Sequence, residues 1–387
     1  MSDLPRSISV AAAGMACSLG HDVVTACAAA RAGLARPSPL PEFVIGAYGE
    51  PEPVSGHVVT ALTEGFHGDA RLLRLLVAAL QDAVARFPAI ATAGGRLHVF
   101  VAFPASDRTG LALERIEDDS LLKELQDAAA AGRCRDELAR TRQLVTRAWG
   151  MLGLPASGLQ VSTTVSGRSG VVELLQQAAE VLAAGQCELA LVGGVDCMTG
   201  PEMLRWHSAQ GRLKSPAQPV GLMPGEAAAL LLLVCPTLPN QGGLGSDGPA
   251  AKLCAVAQHD GPTSQWAHDA PRGEGLSAVV AQVYGERAAP PWLVADHNGE
   301  EFRAAEWGVA WVRLSARFEA FRAASIWLPA VSLGDCGVAA AAVALCIMVR
   351  AFERGYTPAQ GPGIVVVSSD GPERCALLLE GVGRDGR

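Results

Sequence analysis

Two rhythms of apolar and polar positions run along this chain. Short continuous apolar runs recur at Ser7–Ala13, Leu97–Phe103, Ala227–Cys235, Lys252–Gln258, Trp292–Ala295 and Ile364–Ser368. Runs without alternation, bounded by glycine or proline, predict strands of a sheet covered on both faces. Between them, apolar residues recur at helical spacing. Asp22 caps a predicted helix over Val23–Ala32, stopped by Gly33. A helix capped by Asp69 repeats Leu72, Leu76, Leu80 and Val84, with Leu73 and Val77 beside them, and Pro88 ends it. Residues 34–65 and 200–225 are rich in proline and glycine and read as irregular.

The chain is organised around Gly158–Gly194. This stretch reads as a β-rich run, a turn of small residues (Val165-Ser166-Gly167-Arg168-Ser169-Gly170), an amphipathic helix, and a buried strand ending in Gly193-Gly194. A strand-to-helix junction of this kind displays side chains at the top of a sheet and aims backbone N–H groups outward. After a flexible junction at Asn240–Pro249 a second series follows: a strand, a helix over 273–285, the strand Trp292–Ala295, a helix over Phe302–Phe321, and a strand Ile326–Ala330. Then come the turn Val331–Gly337, a buried helix to about Arg354, and a terminal hairpin of Ile364–Ser368 and Cys375–Glu380. Two β/α series of one style predict an internal duplication, divided as 1–240 and 241–387. Residues 105–149, charged and helical in patches, read as a surface insertion in the first half.

Composition narrows the function classes. The chain has 387 residues, 49% of them hydrophobic and 18% charged, enough for a large core. Its net charge of −8, without a basic run, excludes a nucleic-acid or anionic-membrane surface. The 10 cysteines form no CxxC pair and several sit inside apolar runs, so they read as reduced, buried thiols. The N-terminus lacks the signal-peptide pattern and no apolar run is long enough to span a bilayer, which predicts a soluble cytoplasmic protein. No phosphate-binding glycine loop and no metal-ligand spacing occurs, so neither cofactor nor metal is expected.

Four segments resemble the β-ketoacyl synthases. They are Gly14-Met15 with Ser18-Leu19-Gly20-His21-Asp22; the block Ser162–Gly194; Pro224-Gly225-Glu226-Ala227; and Ser332-x-Gly334-Asp335-x-Gly337-x-Ala339-Ala340. The resemblance covers nearly the whole chain. It implies an α/β protein with the thiolase-like duplicated five-layer α/β/α/β/α fold, dimerising through the strand near the nucleophile. It also implies handling of acyl thioesters on an acyl carrier protein or coenzyme A. In that family a cysteine at the elbow accepts the acyl group and two histidines assist. A thiolate at a helix N-terminus is activated by the helix dipole, and imidazoles stabilise the oxyanion.

The three positions carry other residues here. Matching letters from Ser162-Thr163 puts the nucleophile position at Val165; counting helix length back from Gly193 puts it at Arg168. The second register is preferred, because insertions inside a packed helix are disfavoured. Arginine cannot be a nucleophile. Ser166 and Ser169 flank it as alternative nucleophiles, and also suit a turn and a helix cap. His297 falls near the place of the first histidine. Asp335 takes the place of the second, and an ionised carboxylate repels an oxyanion. In the resembling family the two elbows face each other, so Arg168 and Asp335 are expected to pair and fill a degenerate pocket. Glu226, after a tight Pro-Gly turn, reads as structural.

The reading favours a non-catalytic ketosynthase-like pseudoenzyme, a homodimer or a heterodimer with a ketosynthase-like subunit. It would partner an active ketosynthase and acyl carrier protein in fatty acid or polyketide biosynthesis, or serve as an effector adaptor of the type VI secretion kind. The competing reading is an acyltransferase or thioester hydrolase using Ser166 or Ser169 with His297.

Overall fold

The computed structural model describes residues 8–45, 52–105, 136–216, 218–234, 249–266 and 270–382. The division at 240/241 and residues 106–135 lie outside them. The apolar runs become strands of one ten-stranded sheet, ordered β10-β9-β11-β12-β8-β1-β7-β6-β4-β5. The first five in sequence are β1 (Ile8–Cys17), β4 (Leu97–Ala102), β5 (Gln160–Thr164), β6 (Leu189–Cys197) and β7 (Glu226–Val234). The second five are β8 (Ala251–Asp260), β9 (Trp292–Ala295), β10 (Ser325–Trp327), β11 (Gly363–Ser368) and β12 (Glu373–Gly381).

Each set has the same arrangement. Reading out from the centre, β1-β7-β6-β4-β5 repeats as β8-β12-β11-β9-β10. The pairing senses repeat too: β1–β7 and β7–β6 are antiparallel and β6–β4 and β4–β5 parallel, as β8–β12, β12–β11, β11–β9 and β9–β10 are. The sets join where β1 pairs β8, with Ser9 opposite Lys252.

Side-chain alternation builds the layers. On β6, Ala190 and Val192 face a central core, whereas Leu191 and Val195 face an outer one. The central core holds helices Gly170–Ala183 and Ala340–Arg354 between strands of both sets. One outer core lies under helix Gly68–Arg86 and the helix over 136–151, the other under Glu274–Tyr284 and Glu301–Arg317. Helix, sheet, helix, sheet, helix makes five layers.

Local expectations meet several corrections. Residues 34–65 contain a hairpin, β2 (Ser38–Ile45) against β3 (Glu52–Gly56), and residues 200–225 contain helix Pro201–Ala209. Both form because Leu40, Val54, Leu204, Leu213 and Leu222 bury one another, a tertiary reward invisible to local pattern. The strand expected over Ile326–Ala330 is only Ser325–Trp327, followed by a short helix, Ala330–Leu333, that Pro329 initiates. The helix over 136–151 buries Leu144, Val145, Ala148 and Trp149 against the sheet, so this part of the 105–149 segment belongs to an outer layer. Asp22 caps its helix by accepting from Thr25 N at 2.8 Å. Asp69 lies inside the first turn of Gly68–Arg86 and supplies no cap hydrogen bond. No helix among the described residues is long and apolar enough to cross a membrane.

Candidate functional site

Two elbows start the two central helices. In the first, β5 ends at Thr164, Gly167 takes φ 65°, and a 3₁₀ turn Gly167–Ser169 feeds helix Gly170–Ala183. In the second, Gly337 takes φ 52° and a 3₁₀ turn Gly337–Ala339 feeds helix Ala340–Arg354. The Pro224-Gly225 turn clamps the second elbow. Asp335 N donates to Met223 O at 2.7 Å, and Gly225 N donates to Asp335 O at 2.9 Å. That turn is anchored in turn by Glu226, whose buried carboxylate accepts from Val59 N and Thr63 Oγ1, each at 2.6 Å, and from Arg71 Nε at 2.6 Å.

The elbows bring Arg168 and Asp335 together. Arg168 Nη2 donates to Asp335 Oδ2 at 2.5 Å, and both side chains are buried. The remaining lone pairs of Asp335 accept from Gly337 N at 2.9 Å and Asn298 Nδ2 at 2.7 Å. Burial alone would push the Asp335 carboxyl up; Arg168, with Arg303 and Asn298, overcomes this and holds it well below the ordinary carboxylate range. Burial likewise opposes the Arg168 charge, and Asp335 and Asp370 keep it protonated.

The pair is one corner of a larger network that sequence reasoning missed. Arg212 Nε donates to Glu300 Oε1 at 2.5 Å, and its Nη1 to Asp370 Oδ2 at 3.0 Å. The Arg212 guanidinium also lies 5.5 Å from the Trp206 ring and 5.1 Å from Trp266. Arg303 Nη2 donates to Asp370 Oδ1 at 2.8 Å, and its Nη1 lies 3.3 Å from Asp296 Oδ2. Asn298 Nδ2 links the two parts, donating to Glu300 Oε2 at 2.7 Å as well as to Asp335. Arg168 Nε lies 3.8 Å from Asp370. Three arginines and four carboxylates from both halves thus close over one another. Glu300 and Asp370 are acidic residues in the loops after β9 and β11. Nothing in their spacing joined them to Arg212, which is 88 positions from Glu300 and 158 from Asp370.

The other sequence candidates lie apart from this chemistry. Ser166 is exposed and its Oγ lies 2.6 Å from Thr164 Oγ1. Ser169 is buried and its Oγ donates to Ser166 O at 3.0 Å and to Glu173 Oε1 at 3.4 Å. Among the described residues neither serine hydrogen-bonds an imidazole. Both ring nitrogens of His297 lack hydrogen bonds, and its ring meets the edge of Trp307, with centroids 5.3 Å apart. Past β9 the chain alternates: Asp296 and Asn298 turn to the network and His297 to Trp307. Asn298, one residue on, is therefore the side chain that reaches Asp335. His207 is fully buried with neither nitrogen bonded, and burial followed by Arg212 pulls it down to about 4.

A cavity of about 20 Å³, room for one water, lies beside the second elbow between Ala295, Pro329, Leu333, Asp335, Cys336 and Val343. The Cys336 thiol in its wall is buried, which raises it well above its ordinary value and leaves it a poor nucleophile. Val165, the other register, packs partly buried against the outer core.

No family model matches this sequence, and no curated protein does. Solved structures do match over nearly the full length. A type II polyketide synthase ketosynthase structure, determined as a complex with its acyl carrier protein and bound to a hexaketide, superposes with a TM-score of 0.73 at 14% identity. It covers 98% of this chain and 100% of that one. The oxazolomycin ketosynthase domain of Streptomyces albus gives 0.68 at 14% identity, covering 98% of this chain and 76% of that one. The ishigamide ketosynthase/chain length factor gives 0.65 at 16% identity, covering 97% and 100%. With its repeated strand order and five layers, the chain carries the thiolase-like fold of ketosynthases and chain length factors.

Proposed function

We propose that this protein is a ketosynthase-like subunit that performs no condensation itself and acts by pairing with a cysteine-bearing ketosynthase and engaging its acyl carrier protein. The observation that carries this is the buried Arg168–Asp335 pair at the junction of the two elbows. Condensation needs a thiol there and hydrogen-bond donors for an oxyanion. Here the elbow from 165 to 170 has no cysteine. An arginine takes the nucleophile's place, and a carboxylate that stays ionised takes the place of a donor. The pair neutralises both charges between the two elbows. Two of the similar structures are a ketosynthase with its acyl carrier protein and a ketosynthase/chain length factor, which supports a partner of that class. The edge of β5 is the proposed seat of the partner, homodimeric or heterodimeric, since among the described residues it is the last strand at one end of the ten-stranded sheet.

The test is intact-mass measurement after incubation with acyl-carrier-protein and acyl-coenzyme-A thioesters, together with native mass spectrometry against the ketosynthase encoded nearest to it. The expected result is no acyl adduct and a stable heterodimer. An adduct that disappears in Ser166→Ala or Ser169→Ala would establish the competing acyltransferase or hydrolase reading instead.

A further inference from the structure

The outer layers of the two halves contain helices in equivalent places, and their water-facing sides differ. The helix over 136–151 lies between β4 and β5, and Glu301–Arg317 lies between β9 and β10, strands that hold the same positions in their sets. Exposed positions of the first are mostly polar, Asp136, Arg142, Gln143, Thr146 and Arg147, with Ala139 among them and Gly150 and Met151 at the end. Exposed positions of the second are apolar through its middle: Ala304, Ala305, Gly308, Val309, Val312 and Ala316. Val312 is 67% exposed and Val309 39%. A Cβ placed on Gly308 would meet nothing within 4 Å, so the backbone there is open to close approach.

Charge on this face lies at its start and along its final third. Glu301 opens the helix, and Arg313 and Arg317 close it. Glu301 makes no ion pair among the described residues. Arg317 lies over the Phe318 ring at 5.0 Å, and Arg313 holds exposed contacts to Glu274 at 3.1 Å and to the Arg272 carbonyl at 3.1 Å. An acidic start and a basic end on one apolar face are complementary to the same face turned end for end.

We propose that this face packs against its own copy in a second molecule, as two antiparallel helices about a twofold axis beside Gly308 and Val309. A twofold contact is self-complementary, each residue meeting the counterpart reflected about the axis. Val312 of each molecule then covers Ala305 of the other. Glu301 of each faces the turn carrying Ala316, between Arg313 and Arg317. Small side chains let the helices approach closely, and antiparallel helix dipoles add to the fit. A parallel arrangement would set acid on acid and base on base. The surface is separate from the β5 edge and does not depend on the function proposed above.

Site-directed crosslinking and sedimentation of the full chain test this. Gly308→Cys, at the axis, forms a disulfide-linked dimer under mild oxidation, whereas Ala304→Cys, off the axis, does not exceed wild type. Val312→Glu, exposed in the monomer and so harmless to folding as read by circular dichroism, weakens association by about a hundredfold, because it buries a charge in the contact. Glu301→Arg alone, or Arg313→Glu with Arg317→Glu, weakens it on the order of tenfold, and combining the three restores it. Equal crosslinking at 304 and 308, a Val312→Glu protein that associates as wild type does, or crosslinking at 308 only to a different protein would each overturn the proposal.

Discussion

The two elbows are the same backbone device put to different uses. Each has a left-handed glycine, a three-residue 3₁₀ turn and a central helix. The middle residue of the turn is Arg168 in the first half and Val338 in the second. The first elbow sends a guanidinium across to Asp335. The second turns its backbone to the opposite half, with Val338 N donating to Asp196 Oδ2 at 2.8 Å. The two halves are therefore stitched in both directions, once by an ion pair and once by a carboxylate on a helix start. Duplication repeats the scaffold, and the side chains decide what each copy holds.

Arg168→Val would make the first elbow like the second and should have the largest effect. It leaves Asp335 buried without its main partner, so a loss of about 3–5 kcal/mol in denaturant unfolding is expected. Arg168→Val with Asp335→Leu should recover much of that, because the charge that must be solvated is gone. A double variant as unstable as the summed singles would mean that the pair is not a coupled unit.

The glycines separate strain from space. At Gly337 a Cβ would lie 2.1 Å from Asp196 Oδ2, whereas at Gly167 it would meet nothing within 4 Å. Gly337→Ala should cost about 3 kcal/mol and Gly167→Ala about 1 kcal/mol, the latter from the left-handed backbone alone. Equal losses in thermal unfolding would mean that backbone strain dominates at both.

Acid should act on both halves through neutral, buried imidazoles. Burial brings His57, His207 and His297 down to about 4 from 6.5. The unfolded chain binds these protons first. Stability is therefore full above about pH 6.5 and falls as pH drops to about 4, by up to about 3 kcal/mol per fully buried histidine. Replacing His207 by Phe should flatten the pH–stability curve over that window while leaving the slope below it, where the unfolded chain binds protons that the fold keeps off Asp335 and Asp370. An unchanged curve would mean that His207 is already charged in the fold.

Ser169→Ala sets the small end of the scale. It removes the bond to Ser166 O and should cost about 1 kcal/mol with no change in the product of any thioester assay. A lost activity there would return the first elbow to catalysis.

Much of the scaffold could be read from letters. The apolar runs gave most of the strands, because a strand covered on both faces has no polar positions to lose. The elbows could be placed because glycine marks left-handed backbone, and Arg168 and Asp335 could be named through the resemblance. The hairpin Ser38–Ile45/Glu52–Gly56 and helix Pro201–Ala209 could not, since their stability comes from leucines far apart in sequence. His297 looked like the functional side chain after β9, yet alternation turned it to Trp307 and gave the place beside Asp335 to Asn298.

By itself the sequence determined which segments are buried, where the chain turns, and that no thiol stands at the first elbow. These are local properties: hydrophobic rhythm, glycine conformational freedom and the identity of a side chain. Only the tertiary structure decided which charges meet. Arg168, Arg212 and Arg303 reach Asp296, Glu300, Asp335 and Asp370 because a repeated strand order brings remote loops to one junction. Inside that junction, away from water, each charge persists only beside its partner, and spacing along the chain carries no record of that.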